Sequence, residues 1–326
     1  MKSPSAGLVA AVAALPATPQ CAPVPPAVRN IIGVSYYIDS AHHSVVDPKK
    51  LAQNEANLNP IRNYLQSVTD ASDAAARGDG NAAACGLRLL FAWAQGDAMN
   101  GTVNHQGEYE REWTLGGLAL AYLKIRDTGA ADPNAAVTTA WFARLARAVE
   151  PYYPPSGELN NHDYWAGVAV ASAGIAANDG ALYDWGIATY KTGVDQIQSD
   201  GTLPLEMKRG TRALHYHLFA IEPLVILAEI GRANGQDLYA MDGGAIARLA
   251  QRCVSGIADP SFFTRQSGVA QDIKPGGKLR VDEIAWMEPY QARFPTPQML
   301  AILQPYRPVI YSRLGGNLTQ LYSHAR

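Results

Sequence analysis

Residues 178–197, NDGALYDWGIATYKTGVDQI, decide the fold. Tyr183, Ile187, Tyr190, Val194 and Ile197 follow one another at steps of four, three, four and three, the spacing of an apolar stripe along one helix face. Asn178-Asp179-Gly180 supplies the turn that precedes it. Working outward, the same pattern recurs on both sides. Leu214, Leu218, Ile221 and Val225 form a second stripe that runs to a polar end at Gly235. Asp132-Pro133 has the chemistry of a helix start, Asp as cap and Pro in the first position, ahead of Trp141, Phe142, Leu145 and Val149. Gly78-Asp79-Gly80 and Asn234-Gly235 punctuate further helices. From about Asn59 onward the chain is helix after helix with almost no strand alternation. Short connections imply antiparallel neighbours, so the expected fold is all-α, with helical hairpins wound into one toroid and a plain bundle as the alternative. Two stretches are expected as long loops, Cys21 to Asn59 and Gln266 to Arg280, and long loops in compact domains often carry binding groups.

Composition narrows the function. The chain has 326 residues, 48% hydrophobic and 17% charged, with a formal net charge of -2, so it is globular and has no global basic signal for nucleic acid. Any polyanion must be held by a local positive cleft. No apolar run approaches the ~20 residues a spanning helix needs, so no membrane insertion is expected. Lys2, the apolar run Gly7 to Leu15 and the small, Pro-rich residues to Gln20 resemble a secretory signal, which makes 1–20 a leader and 21–326 a single exported domain. Cys21, Cys85 and Cys253 are too scattered for a zinc site. In an exported chain, Cys21 could tether the N-terminal segment to a helix at Cys85 and leave Cys253 buried and free.

Two segments carry chemistry. Asn160-Asn161-His162-Asp163-Tyr164-Trp165 opens a helix, where free backbone N–H groups favour an anion such as a carboxylate; a plain cap at Asn161 with a packed His162 is the other reading. In Leu205 to His217, Arg209, Arg212 and Tyr216 are spaced by three and four, which places them along one helix face together with the flanking His215 and His217. A solvated face would have the same spacing.

The motif Asn160 to Trp165, followed by Leu203 to His217 with its Glu-x-Lys-Arg-x-x-Arg-Ala-Leu-x-Tyr-His core, resembles the alginate lyases of polysaccharide lyase family 5. Further likenesses are Asn104-His105 before Trp113-Thr114-Leu115-Gly116, Trp141 to Leu145, Asp184-Trp185, Trp286 to Tyr290, and Arg313 to Gly316. The resemblance runs from about Cys85 to the C-terminus. It implies an incomplete α/α toroid in the periplasm and a metal- and cofactor-free, monomeric, endo-acting lyase of an anionic polysaccharide, of the poly(β-D-mannuronate) lyase type. It also implies a catalytic set of Asn161, His162, Arg209 and Tyr216, a lid near Lys49 to Asn59, and a Cys21–Cys85 disulfide. Lys49, Lys50, Asn104, His105, Trp165, Arg212, His215, Trp286, Tyr290 and Arg313 are the expected substrate-binding residues. Asp163, Gly210-Thr211 and His215 depart from the family pattern. The expectation is therefore relaxed specificity, over mannuronan and glucuronate-containing polymers, with His215 shifting the preference with pH.

β-Elimination removes the C5 proton of a uronate and expels the oxygen at C4. The substrate carboxylate is already anionic, so cations and donors must stabilise the second developing charge. Arg209, Asn161 and His162 suit that task, and a phenol at Tyr216 suits proton transfer, with a nearby cation lowering the cost of phenolate. His162 is the alternative base when the C5 proton lies on the opposite face of the sugar. A glycoside hydrolase would instead need two carboxylates across a cleft, for which Asp163, Glu206 and Glu288 are candidates. A non-catalytic polysaccharide-binding protein is the second rival.

Overall fold

The structure is a computed structural model that describes residues 21–38, 42–128 and 132–323. The leader expected at 1–20 lies outside the described residues. Eight long helices carry the fold among those described. α1 (Pro48–Ala76), α2 (Gly80–Gln95), α3 (His105–Ile125), α4 (Ala135–Val149), α5 (Asn161–Ala177) and α6 (Gly180–Asp195) are followed by the short α7 (Pro204–Met207), then by α8 (Ala213–Ala233) and α9 (Met241–Ala258). Shorter helices complete the chain: α10 (Ser261–Ser267), α11 (Val281–Ile284), α12 (Met287–Arg293), α13 (Pro297–Leu303) and α14 (Leu318–Tyr322). The described strands, Ile310–Tyr311 and Gly316–Asn317, form one small antiparallel pair.

The caps explain where these helices begin. Asp47, Asp79, Asn104, Asn160 and Asp179 each accept hydrogen bonds from backbone N–H groups of the first turn. The Asp-Pro rule holds at Asp47-Pro48 and fails at Asp132-Pro133. There the Asp132 carboxylate accepts from Asn134 N at 2.9 Å, a local turn forms, and α4 starts only at Ala135. Consequently Lys49 to Asn59, expected as loop and lid, is the first part of α1, with Asn54 and Leu58 buried.

Burial separates two layers. α3, α5 and α8 are buried on nearly all sides, whereas α2, α4, α6 and α9 bury one face each. α5 packs against α3, α4, α6 and α8, and α1 against α2 and α3, so α1, α3, α5 and α8 form the inner ring with the other helices outside it. The C-terminal segment closes the remaining gap: α11 packs on α8, while Ser312–Leu314 packs on α3 and α1. This is the incomplete α/α toroid. Its hydrophobic interior has an N-terminal half around Tyr64, Trp93 and Trp141 and a C-terminal half around Trp165, Tyr190 and Trp286.

The stripe that begins at Leu214 is fully buried through Leu218, Ile221 and Val225. Each such side chain contributes about 1.5–3 kcal/mol, which offsets the ~3 kcal/mol cost of Pro223 inside the same helix. Gly210–Ala233 is long and apolar enough to cross a membrane, but its most apolar stretch is almost entirely buried inside the protein. Cys21 and Cys85 form a disulfide that pins the N-terminal segment to α2, and Cys253 is buried and free.

Candidate active site

A cavity of about 380 Å³ opens at one end of the inner ring, between α1, α3, the start of α5, the start of α8 and the segment 280–282. His162, Arg209, Arg212, His215 and Tyr216 line it, as do His105 and Arg313. Five arginines reach it, Arg62, Arg209, Arg212, Arg280 and Arg313, against the acids Glu55 and Asp282. A chain of near-neutral net charge thus concentrates cations where an anionic polymer would lie.

Arg209 and Tyr216 do not share a helix. α7 ends at Met207, Gly210 takes a left-handed conformation at φ +59°, and a 3-10 turn over Gly210–Arg212 leads into α8. The expected helix face is therefore wrong, and the clustering it implied is right. The Arg209 guanidinium carbon lies 4.7 Å from the centre of the Tyr216 ring, and that of Arg212 lies 5.0 Å from it. Arg212 also donates to the Tyr37 hydroxyl at 2.7 Å and to His43 O at 3.1 Å. Burial raises the Tyr216 phenol above its ordinary value, Tyr37 adds to the rise, and the two arginines only partly oppose it. In the open cleft Tyr216 is a proton donor, and the proposed activation by Arg209 is outweighed.

Asn161 and His162 open α5 behind the cap and capping box of Asn160 and Asp163. Asn161 is fully buried; its backbone N–H donates to Glu206 Oε1 at 2.8 Å and its amide nitrogen lies 3.1 and 3.2 Å from the two carboxylate oxygens. Glu206 also lies 3.8 Å from Arg209. One buried carboxylate thus ties the start of α5 to the residue that carries the guanidinium. His162 stacks on Tyr109 with ring centres 3.6 Å apart, and burial, then Arg209 and Arg313, hold its imidazole well below the usual value and so neutral.

Other expected binders fall differently. His105, Arg212, His215 and Arg313 line the cavity. Asn104 does not; it caps α3 and bonds both N–H and C=O of Gly33. Lys49 and Lys50 sit exposed in the first turn of α1, outside the cavity, because that segment is helix. Trp165, Trp286 and Tyr290 are buried in the core, where aromatic bulk fills space between helices and does not meet solvent. His215 is buried between Glu283, at 2.9 Å, and Arg280, and burial with the charges of Arg212 and Arg280 keeps it neutral. Burial therefore opposes the change of its charge near neutral pH expected from its position beside Tyr216.

Several cleft residues escaped the sequence reading. Tyr36, Tyr37 and His43 belong to a hairpin-like segment in which Ile38 N bonds Val45 O and Asp47 N bonds Tyr36 O; it overhangs the Tyr216 side. Nothing in its composition marks it. Tyr109 and Trp113 were detectable, since with His105 they step by four along one face of α3. Arg313 stacks its guanidinium 3.6 Å from the centre of the Trp113 ring.

The carboxylates required by a hydrolase are committed elsewhere. Asp163 accepts from Asn160 N at 2.8 Å, Glu206 holds Asn161, and Glu288 is buried against Arg307 at 2.8 Å. An imidazole, guanidiniums and a phenol at the open end of an α/α toroid, in a cationic cleft from which the candidate carboxylates Asp163, Glu206 and Glu288 are withdrawn into other contacts, define a polysaccharide lyase. The chain belongs to the alginate lyase family, whose model matches residues 34–263.

It is 41% identical to a polysaccharide lyase of Stenotrophomonas maltophilia over 93% of this chain and 91% of that one. Alginate lyase A1-III from Sphingomonas species A1 superimposes with a TM-score of 0.78 at 27% identity, covering 92% of this chain and 86% of that one. A tyrosine-to-phenylalanine variant of alginate lyase A1-III complexed with a tetrasaccharide gives a TM-score of 0.81 at 27% identity, over 95% and 88%.

Proposed function

We propose that this lyase cleaves mannuronate-rich polyuronates by β-elimination within the cleft of Arg209 and Tyr216, and accepts glucuronate-containing polymers as well. The observation that carries the reading is the placement of both guanidiniums, of Arg209 and Arg212, within about 5 Å of one phenol. Arg209 meets the uronate carboxylate and stabilises the charge that grows as the C5 proton leaves, while Asn161, buried against Glu206 outside the cavity lining, fixes the start of α5 beside it. The Tyr216 phenol supplies the proton that the O4 leaving group needs, and on sugars whose C5 proton faces it, its oxygen takes the C5 proton as its own proton passes to O4, so that it ends as a phenol again. A lyase of alginate among solved relatives of the same fold supports the choice of polymer.

The test is a panel of polymannuronate, polyguluronate, glucuronan and hyaluronan, followed by the ultraviolet absorbance of the new conjugated double bond. Absorbance rising fastest on polymannuronate is expected; products without it, or no product from any uronate polymer, would reject the proposal. We also propose export to the periplasm, in keeping with the Cys21–Cys85 disulfide. Sequencing of the mature N-terminus from a periplasmic fraction tests this, and an intact Met1 would contradict it.

A further inference from the structure

Glu112 has no exposed surface although it is a carboxylate in the inner wall of a helical ring. Burying such a group costs several kcal/mol unless it is paired, so its partner is informative. Oε1 lies 2.8 Å from His162 Nδ1, and Tyr109, one turn earlier on α3, covers the face of the same imidazole. A single helix thereby fixes both the plane of the ring and the direction in which it points. With Nδ1 turned to the buried carboxylate, Nε2 is the nitrogen left on the side of the cavity that His162 lines.

We propose that Glu112 is a positioning residue that holds His162 as the Nδ1–H tautomer, so that Nε2 offers a lone pair to the substrate and accepts a proton there. This rests on the β-elimination reading of the cleft. The opposite arrangement, a protonated Glu112 donating to Nδ1, would leave Nε2–H as a donor towards the substrate carboxylate. Burial, with Asp163 and Glu108, favours that protonated form, while the Tyr153 hydroxyl and Arg313 favour the Glu112 carboxylate; Arg209 and Arg313 both disfavour an imidazolium. A neutral imidazole donating Nδ1–H to an anionic Glu112 meets the preference of both arginines for an uncharged ring and that of Arg313 for a charged carboxylate.

The step balances as follows. Nε2 takes the C5 proton, and the C5–H electron pair becomes the C4–C5 double bond. The C4–O bond breaks with its electrons on oxygen, which takes the Tyr216 phenolic proton; solvent then carries the proton from His162 back to the phenolate. This pathway needs the C5 proton and the C4 oxygen on opposite faces, as in guluronate. Where they share a face, as in mannuronate, Tyr216 serves both and His162 takes no proton.

The test uses the full chain with ring-15N histidine, His162→Ala providing the assignment. At neutral pH a protonated Nδ1 and an unprotonated Nε2 are expected, and a protonated Nε2 in the unsubstituted enzyme overturns the proposal. Glu112→Leu is expected to move the proton towards Nε2 and to lower kcat on polyguluronate by about 10- to 100-fold, with KM nearly constant and polymannuronate turnover changed by less than about threefold. Glu112→Gln keeps a carbonyl that accepts from Nδ1–H and restores the tautomer and most of the rate. An equal fall on both polymers with the tautomer unchanged would show a purely structural role and overturn the proposal. If the unsubstituted enzyme eliminates from polymannuronate and not from polyguluronate, the proton-accepting role of Nε2 is overturned; if it eliminates from no polyuronate, the substrate reading fails while the nitrogen spectrum still decides the tautomer that Glu112 holds.

Discussion

The Arg209 guanidinium lies over the Tyr216 ring at 4.7 Å although the two residues belong to separate elements, one before and one after a left-handed Gly210. The phenol is consequently held among cations yet stays protonated, because burial outweighs both arginines. Tyr216→Phe removes the transferable proton and leaves ring, burial and guanidinium contacts in place. Turnover should fall at least about 100-fold, with polymer affinity, measured by calorimetry, within about threefold of the parent.

Arg209→Lys retains a positive charge and loses the planar fork that can engage a carboxylate with two parallel hydrogen bonds. The expected result is a fall in kcat/KM of about 10- to 100-fold, with the Glu206 charge still compensated. Steady-state kinetics on polymannuronate check this. An unchanged kcat/KM would place carboxylate recognition elsewhere in the cleft.

His217 is buried beneath the site; its Nε2 accepts from Leu203 N at 2.9 Å and its Nδ1 donates to Ala213 O at 2.7 Å. Burial lowers its pKa to about 4. In the unfolded chain the value is about 6.5, so its contribution is fully present above that pH. Below it the unfolded state gains a proton that the folded state refuses, and stability falls down to about pH 4. The stability advantage over His217→Gln should therefore shrink between pH 7 and pH 5, by about 2 kcal/mol from 1.36 kcal/mol per unit. Urea denaturation of both proteins at the two pH values measures it.

The Cys21–Cys85 bridge spans a sequence separation of 64 and ties an extended segment to α2. Loop-closure entropy puts its contribution at about 2–4 kcal/mol. Cys21→Ser should lower thermal stability by several degrees under oxidising conditions and have no effect once the parent is reduced. Calorimetry with and without reductant separates the two states.

Much of this protein is legible in one dimension because helices announce themselves through local chemistry. The stripe from Tyr183 and the stripe from Leu214 both correspond to helices with buried faces, and the caps at Asp79 and Asp179 start where turn residues stand. The motifs around Asn161 and Arg209 also meet in one cleft. Aromatic residues misled: Trp165, Trp286 and Tyr290 sit in core positions that periodicity does not separate from a sugar platform.

The sequence by itself determined the helical class, the stripes that face inward and the reactive groups available, since these depend on spacing of three and four residues and on side-chain type. Only the tertiary structure decided which groups share a cavity. Tyr37 and Arg212 are 175 residues apart, Glu112 and His162 are 50 apart, and no local rule relates them. Closure of the ring brings such pairs together, and burial at that closure, more than any neighbour in the chain, sets which of them hold a proton.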